Sequence, residues 1–173
     1  MAKTNLFMTV GLPRSGKSTW AREQSQRHGI AVVCADAIRM ALHGRAFFEP
    51  AEPMVWAMAR VMVDSLFKAG AANVILDCTN LESNKRKIWG NGDWRVVPVF
   101  VLTDAETCRR RCYDTGKPEL VGVIDIMYAD YIMTCSSVRN GFSPDQAMLV
   151  SSPADFAFGG VEADIGDWIR RNG

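Results

Sequence analysis

The chain has 173 residues, 48% hydrophobic and 23% charged, with a formal net charge of +1. Those values suit one globular domain with a sizeable core, and a protein that coats nucleic acid through bulk charge alone would be far more basic. Its five cysteines are odd in number and form no C-x-x-C pair, which argues against a disulfide framework or a zinc site.

Apolar and amphipathic runs alternate along the chain. Leu6–Val10 reads as a short buried strand, followed by Gly11-Leu12-Pro13-Arg14-Ser15-Gly16-Lys17-Ser18-Thr19 and a helix over Trp20–His28 stopped by Gly29. The nine residues fit G-x-x-x-x-G-K-[ST], and both the preceding strand and the following helix are where that phosphate-binding loop requires them. Its backbone N–H groups would cradle an anion, with Lys17 reaching the outer phosphates of a nucleoside triphosphate and the Ser18 hydroxyl placed on Mg²⁺.

Ile30–Cys34 is a second strand, and Asp36 directly after it is read as the cap of a helix Ala37–Leu42. His43–Pro53, with Gly44, Pro50 and Pro53, reads as loop. Val55, Met58, Ala59, Met62, Val63, Leu66 and Phe67 then mark one helical stripe. Asn73–Asp77 is a third strand ending in an acid. A helix Ser83–Trp89 and a Gly90-Asn91-Gly92 turn lead to a fourth strand, Arg95–Leu102. Asp104–Tyr113 is helix, Asp114–Gly122 loop and Val123–Val138 helix. Ala147–Val150 is a last strand and Glu162–Arg171 a closing helix. Cys34 and Cys78 read as small core residues, and the one-turn spacing of Cys108 and Cys112 as coincidence.

The alternation predicts βαβ units, a parallel sheet of about five strands and helices on both faces. The whole chain, residues 1–173, then forms a single domain. In such sheets ligands bind beyond the carboxyl ends of the strands. Three groups fall there: the loop after Val10, Asp36 and Asp77.

The chain lacks N-K-x-D and D-x-x-G elements, which leaves a small kinase as a better fit than a nucleotide switch. Asp36 is the candidate for taking the proton of the accepting hydroxyl, with Arg39, three residues on, anchoring a phosphate of the acceptor. Asp77 is placed to bind Mg²⁺ through water or to pin Arg39, and Thr79 and Asn80 to hydrogen-bond the acceptor. Residues 107–122, with Arg109-Arg110-Arg111 before a Gly- and Pro-bearing loop, have the character of a mobile lid over the triphosphate. Lys85-Arg86-Lys87 is a second basic cluster.

These residues resemble the bacteriophage-type polynucleotide 5′-hydroxyl kinase family and its P-loop relatives, from about Leu6 to Tyr131. The resemblance rests on the loop with its trailing Trp20-Ala21, on the D-x-x-R of Asp36 and Arg39, on Asp77, Thr79 and Asn80 around an inserted Cys78, on Glu106 and Arg110, and on Met127-Tyr128. It implies a three-layer P-loop kinase fold and ATP and Mg²⁺ as cofactors. Gly11, Arg14, Ser15, Gly16, Lys17, Ser18, Thr19, Arg110 and Arg111 would hold the nucleotide. Asp36 would be the general base, Arg39 would bind the acceptor phosphate, and a 5′-hydroxyl of DNA or RNA would be the acceptor. Two departures stand out: Asp114 replaces a further lid arginine, whose part Lys117 would take, and no valine–proline precedes the next helix. Other members of the fold group phosphorylate hydroxymethylated bases or small metabolites. A non-catalytic nucleotide-binding module is the reading from another class.

No apolar run of membrane-spanning length and no signal-peptide pattern stands out in the sequence, so a cytoplasmic protein without a membrane partner is expected.

Overall fold

The computed structural model describes residues 4–90, 93–141, 143, 146–151 and 164–172. Five parallel strands, β1 (Asn5–Val10), β2 (Ala31–Cys34), β3 (Asn73–Asp77), β4 (Arg95–Val101) and β5 (Met148–Ser151), form one sheet in the order β2-β3-β1-β4-β5. β1 lies at the centre and is buried at every position, as its unbroken apolar sequence requires.

Side chains alternate across β1. Leu6 and Met8 face one layer, where α2 (Ala35–His43) and α3 (Glu52–Lys68) contribute Ile38, Val55, Ala59 and Val63. Phe7 faces the other, with Trp20 and Ala21 of α1 (Lys17–His28) and Ile165 and Trp168 of α7 (Ile165–Asn172). Val10 and Leu12 start a third cluster with Cys108 and Cys112 of α5 (Ala105–Asp114) and Ile124, Tyr131 and Cys135 of α6 (Leu120–Gly141). A short α4 (Ser83–Lys87) follows β3. The result is the three-layer α/β arrangement expected from the alternation.

Several expectations change in detail. α2 starts at Ala35, so Asp36 lies inside its first turn instead of capping it. His43–Pro53 is not all loop. A 3₁₀ turn spans Glu49–Ala51 and α3 opens at Glu52, with Pro53 in its first turn, where the missing N–H costs nothing. Met62 belongs to the stripe by spacing but is largely exposed. Cys108 and Cys112 are wholly buried, so their one-turn spacing is the core face of α5, while Cys34 and Cys78 are only partly covered. Burial lifts the Cys108 thiol to about 11, which leaves it inert. Asn91 and Gly92 of the expected turn, and Glu162 and Ala163 at the expected start of the closing helix, lie outside the described residues.

α6 also corrects the expectation about apolar length: its 22 residues are long and apolar enough to cross a membrane by length and composition. Here its inward stripe, Ile124, Tyr131, Thr134, Cys135 and Val138, is core packing, and its other face carries Asp125 and Asp130.

α7 closes the far layer by two devices. The Gln24 side-chain carbonyl accepts the Ile165 N–H at 2.8 Å, and Asp164 pairs with Arg27 and His28 at 2.9 and 3.0 Å. Burial opposes the charge on Asp164, but the hydrogen bonds it accepts from His28, Arg27 and the Asp167 N–H together outweigh it and hold its carboxyl far below the usual range. Trp168 is 1% exposed, meets Phe7 edge-to-face at 5.4 Å and lies under the Arg95 guanidinium at 4.7 Å. Truncating Trp168 to alanine is expected to cost about 3–5 kcal/mol, because it removes a fully buried ring from a close-packed site. Equilibrium urea unfolding measures this; a loss below about 1 kcal/mol would show that α7 adds little to the core.

Candidate active site

The loop between β1 and α1 curls around its own backbone. Gly11 sits so close to β4 that an added Cβ would lie 2.3 Å from the Val101 carbonyl oxygen, so no side chain fits there. Arg14 adopts the left-handed region at φ 63°, an uncommon conformation for a residue with a side chain, and Gly16 follows at φ 108°. Two contacts hold the strained segment from outside. The Thr103 hydroxyl donates to the Ser15 carbonyl at 2.7 Å, and Arg111 donates to the Arg14 and Ser15 carbonyls at 3.1 and 3.3 Å.

Lys17 opens α1 and is buried, its ammonium donating to the Leu12 carbonyl at 2.5 Å and to Ser15 Oγ at 3.4 Å. Burial lowers its proton affinity, and the carboxylates of Asp77 and Asp36 act against that. Ser18 and Thr19 are exposed beside it. The remaining buried polar atom of the loop, Arg14 Nε, has no protein partner.

β3 delivers Asp77, 5% exposed, to the same end of the sheet, where it accepts from the Thr9 hydroxyl at 3.2 Å. The loop after it is locked to β1. Gly11 N–H donates to the Thr79 carbonyl at 2.9 Å, and Asn80 Nδ2 donates to the Thr9 carbonyl at 2.9 Å. Asn80 is itself buried and left-handed at φ 45°. Its Nδ2 is therefore committed inside the protein, to the Thr9 carbonyl and Cys78 Sγ, and acts as a brace. Thr79 remains half-buried at the rim.

Asp36 and Arg39 do share a face of α2, with Arg39 donating to Asp36 Oδ1 at 2.6 Å. Arg39 does not meet Asp77. Its other two nitrogens form a fork on Glu52 at 2.7 Å each, and its guanidinium lies 5.8 Å from the Trp56 ring centre. The Arg39–Glu52 pair is nearly covered and Asp36 is largely exposed, so the guanidinium is fixed while the carboxylate faces solvent. The hydrogen bonds from Arg39 pull Glu52 below the usual carboxylate range, and donating to Glu52 and Asp36 locks the charge on Arg39. Glu52 escaped the sequence reading because it fell in an expected loop. The signal was Glu52-Pro53, an acid and a proline suited to a helix first turn.

The three arginines of α5 diverge, as successive helical positions must. Arg109 is spent on Asp125 at 2.8 Å and lies over Tyr128, Arg111 reaches the phosphate loop, and Arg110 is exposed. In the other basic cluster, Lys85 pairs with Glu82, and Arg86 turns inward to the Asn80 and Leu81 carbonyls at 2.7 and 2.6 Å. Neither is therefore free to grip a polynucleotide.

Among the described residues no group of three or more His, Cys, Asp or Glu side chains is placed to hold a metal. The donor set at the loop is instead one hydroxyl, Ser18, and one buried carboxylate, Asp77. All-oxygen donors so few in number fit Mg²⁺ that keeps its waters and takes the rest of its shell from phosphates.

A family model described as an AAA domain matches residues 6–115. The chain belongs to that family. No curated protein matches it in sequence. Among solved structures, a chain of the Pnkp1/Rnl/Hen1 complex is 27% identical with a TM-score of 0.58, over 65% of this chain and 40% of that one. This AAA-domain protein thus spans less than half the length of that relative. A gluconokinase from Sinorhizobium meliloti matches end to end, over 99% and 95% of the two chains, at 15% identity and a TM-score of 0.55. The APS kinase CysC of Mycobacterium tuberculosis, in complex with AMPPNP and APS, matches at 20% identity and a TM-score of 0.51, over 65% and 70%. The fold is that of the P-loop kinases.

The Arg39–Glu52 fork has a pH signature. Glu52 ionises at lower pH in the folded than in the unfolded chain, so its contribution is present above the unfolded value and is lost as pH falls through the folded one. Glu52→Gln is expected to destabilise the AAA-domain protein by about 1–3 kcal/mol at pH 7, with the gap to wild type closing in acid below the usual carboxylate range. Thermal unfolding of both proteins across that range checks it; a pH-independent gap would contradict the assignment.

Proposed function

We propose that the protein is an ATP- and Mg²⁺-dependent kinase that moves the γ-phosphoryl group to a hydroxyl of a nucleic acid, a 5′-hydroxyl end being the best-supported acceptor. The observation that carries this reading is that the buried Lys17 opens α1 after β1 and the buried Asp77 ends β3, at the end of the sheet where α2, with the Asp36–Arg39 pair, leaves β2. The elements read as donor and acceptor, contributed by β1, β3 and α2, thus lie at the carboxyl end of the strands, where open parallel sheets bind ligands. The likeness to a chain of the Pnkp1/Rnl/Hen1 complex supports a polynucleotide acceptor.

In this reading the N–H groups of Gly16 to Thr19, at the helix end of the loop, would hold the β- and γ-phosphates, the helix N-terminus would add its partial positive charge, and Lys17 would leave the Leu12 carbonyl for the γ-phosphate. Ser18 and Asp77 would hold Mg²⁺, which would supply positive charge beside the phosphates. Asp36 accepts the proton of the attacking hydroxyl. Arg39, kept rigid by Glu52, turns its Asp36-facing nitrogen to the acceptor phosphate. Residues 107–122 act as the lid. Arg111 already touches the loop carbonyls, and Arg110 is free to swing toward the transferred group.

Small-metabolite transfer is the second reading, favoured by the net charge of +1, which gives a polyanion little to follow. Labelled ATP offered with a 5′-hydroxyl oligonucleotide, hydroxymethylated DNA, nucleosides and sugars separates the two. With the acceptor that works, Asp36→Asn is expected to lower kcat by about 10²- to 10⁴-fold while ATP affinity stays within about twofold of wild type. Turnover at the wild-type rate would remove Asp36 from its role.

A further inference from the structure

We infer that the segment joining α2 to α3 carries a stacking platform for the nucleobase next to the accepting hydroxyl, built from Phe47 and Phe48 with Arg45 and His43 at its edge. The inference rests on the reading of Asp36 as the acceptor-side base and extends it to what the site holds beyond that hydroxyl.

Asp36, Arg39 and His43 recur at three- and four-residue steps and form one stripe along α2, spanning about 10 Å of helix. Two residues of the facing segment, one turn apart, pair with this stripe. Glu52 takes Arg39, and Phe48 takes His43 edge-to-face at 5.8 Å between ring centres. Phe48 is fixed at the start of the 3₁₀ turn, its carbonyl accepting the Ala51 N–H at 2.9 Å. The ring pair is therefore the next rung beyond the ion pair that holds Asp36. It sits where the chain of an acceptor bound through its terminal hydroxyl would continue.

The exposure of this segment has no structural use. Phe47 is 63% and Phe48 40% exposed, and neither joins a core cluster. The Arg45 guanidinium lies 5.2 Å from the Phe48 ring centre, so the platform carries a cation as well as two π-faces. His43 accepts the Arg45 backbone N–H on Nδ1 at 3.3 Å, and its Nε2 is buried with no partner among the described residues. Flat aromatic faces and an arginine, two helical turns along α2 from the acceptor carboxylate, match a base and its sugar–phosphate. A sugar or small acid phosphorylated at Asp36 has no aromatic plane to lay on the rings. Stacking also explains how a chain of net charge +1 would hold a polynucleotide: by one or two bases instead of many phosphates.

The test is fluorescence anisotropy with a short, 3′-labelled single-stranded DNA carrying a 5′-hydroxyl. Wild type, Phe47→Ala, Phe48→Ala and the double variant are compared, with circular dichroism to verify the fold. Each single change is expected to weaken binding by about five- to 150-fold, Phe48→Trp to restore it, and a strand abasic at its first position to bind wild type as poorly as the normal strand binds the double variant. Equal affinity of wild type and double variant, full affinity for the abasic strand, or no binding by wild type would each overturn the platform. So would a change confined to self-association in sedimentation, which would make the rings a contact between copies. Failure of the kinase reading shows separately, as absence of phosphoryl transfer to a strand that still binds through these rings.

Discussion

The hydroxyl of Thr9 reaches from β1 to the end of β3 and continues their pairing where the backbone ladder stops. The register between the two strands runs as far as Met8 and Leu76. Beyond it, Thr9 Oγ1 meets Asp77 Oδ1, the Cys78 carbonyl and the Cys78 N–H, Asn80 Nδ2 takes the Thr9 carbonyl, and Gly11 N–H takes Thr79. Thr9 is wholly buried, so its own side chain pairs away from water, where an unmade hydrogen bond costs the full desolvation of its group. This seam fixes the first glycine of the phosphate loop against the carboxylate of Asp77. The chemistry assigned to the site depends on that alignment.

Charge balance follows from the same geometry. The loop gathers N–H groups, a helix N-terminus and a buried lysine, an arrangement that is uncomfortable without an anion. Its strain at Arg14 is restrained by Thr103 and by Arg111, the latter on the helix that begins the proposed lid. Across the cleft Arg39 is restrained in a different way, by a carboxylate fork that lets it keep one face for Asp36.

Legibility in the sequence tracks how local each signal is. The phosphate loop was readable residue by residue, because tight curvature and close approach to Val101 demand glycine at Gly11 and the lysine follows at a set spacing. The strands were readable because buried parallel strands are apolar throughout, and the Asn73–Asp77 boundaries agree with the structure. What the sequence hid were partners brought in from elsewhere in the chain. Nothing near Arg39 announces that Glu52 lies beside it, and a reader choosing among acids picks Asp77, the strand-end acid, over one beside a proline. Asn80 was misread for the same reason: an amide at a strand end serves a ligand or a neighbouring backbone equally well until the Thr9 carbonyl is seen 2.9 Å away. Arginine side chains were the least legible. Arg86 and Arg109 look free in a basic run and are spent on carbonyls and on Asp125.

The measurement that bears most directly on this arrangement is a crystal structure with a non-hydrolysable ATP analogue, Mg²⁺ and a 5′-hydroxyl strand. It should show the hydroxyl oxygen within hydrogen-bond reach of the Asp36 carboxylate and in line with the terminal phosphorus, the triphosphate wrapped by residues 11–19. A strand bound elsewhere, or a triphosphate whose terminal phosphorus faces away from α2, would contradict the shared cleft.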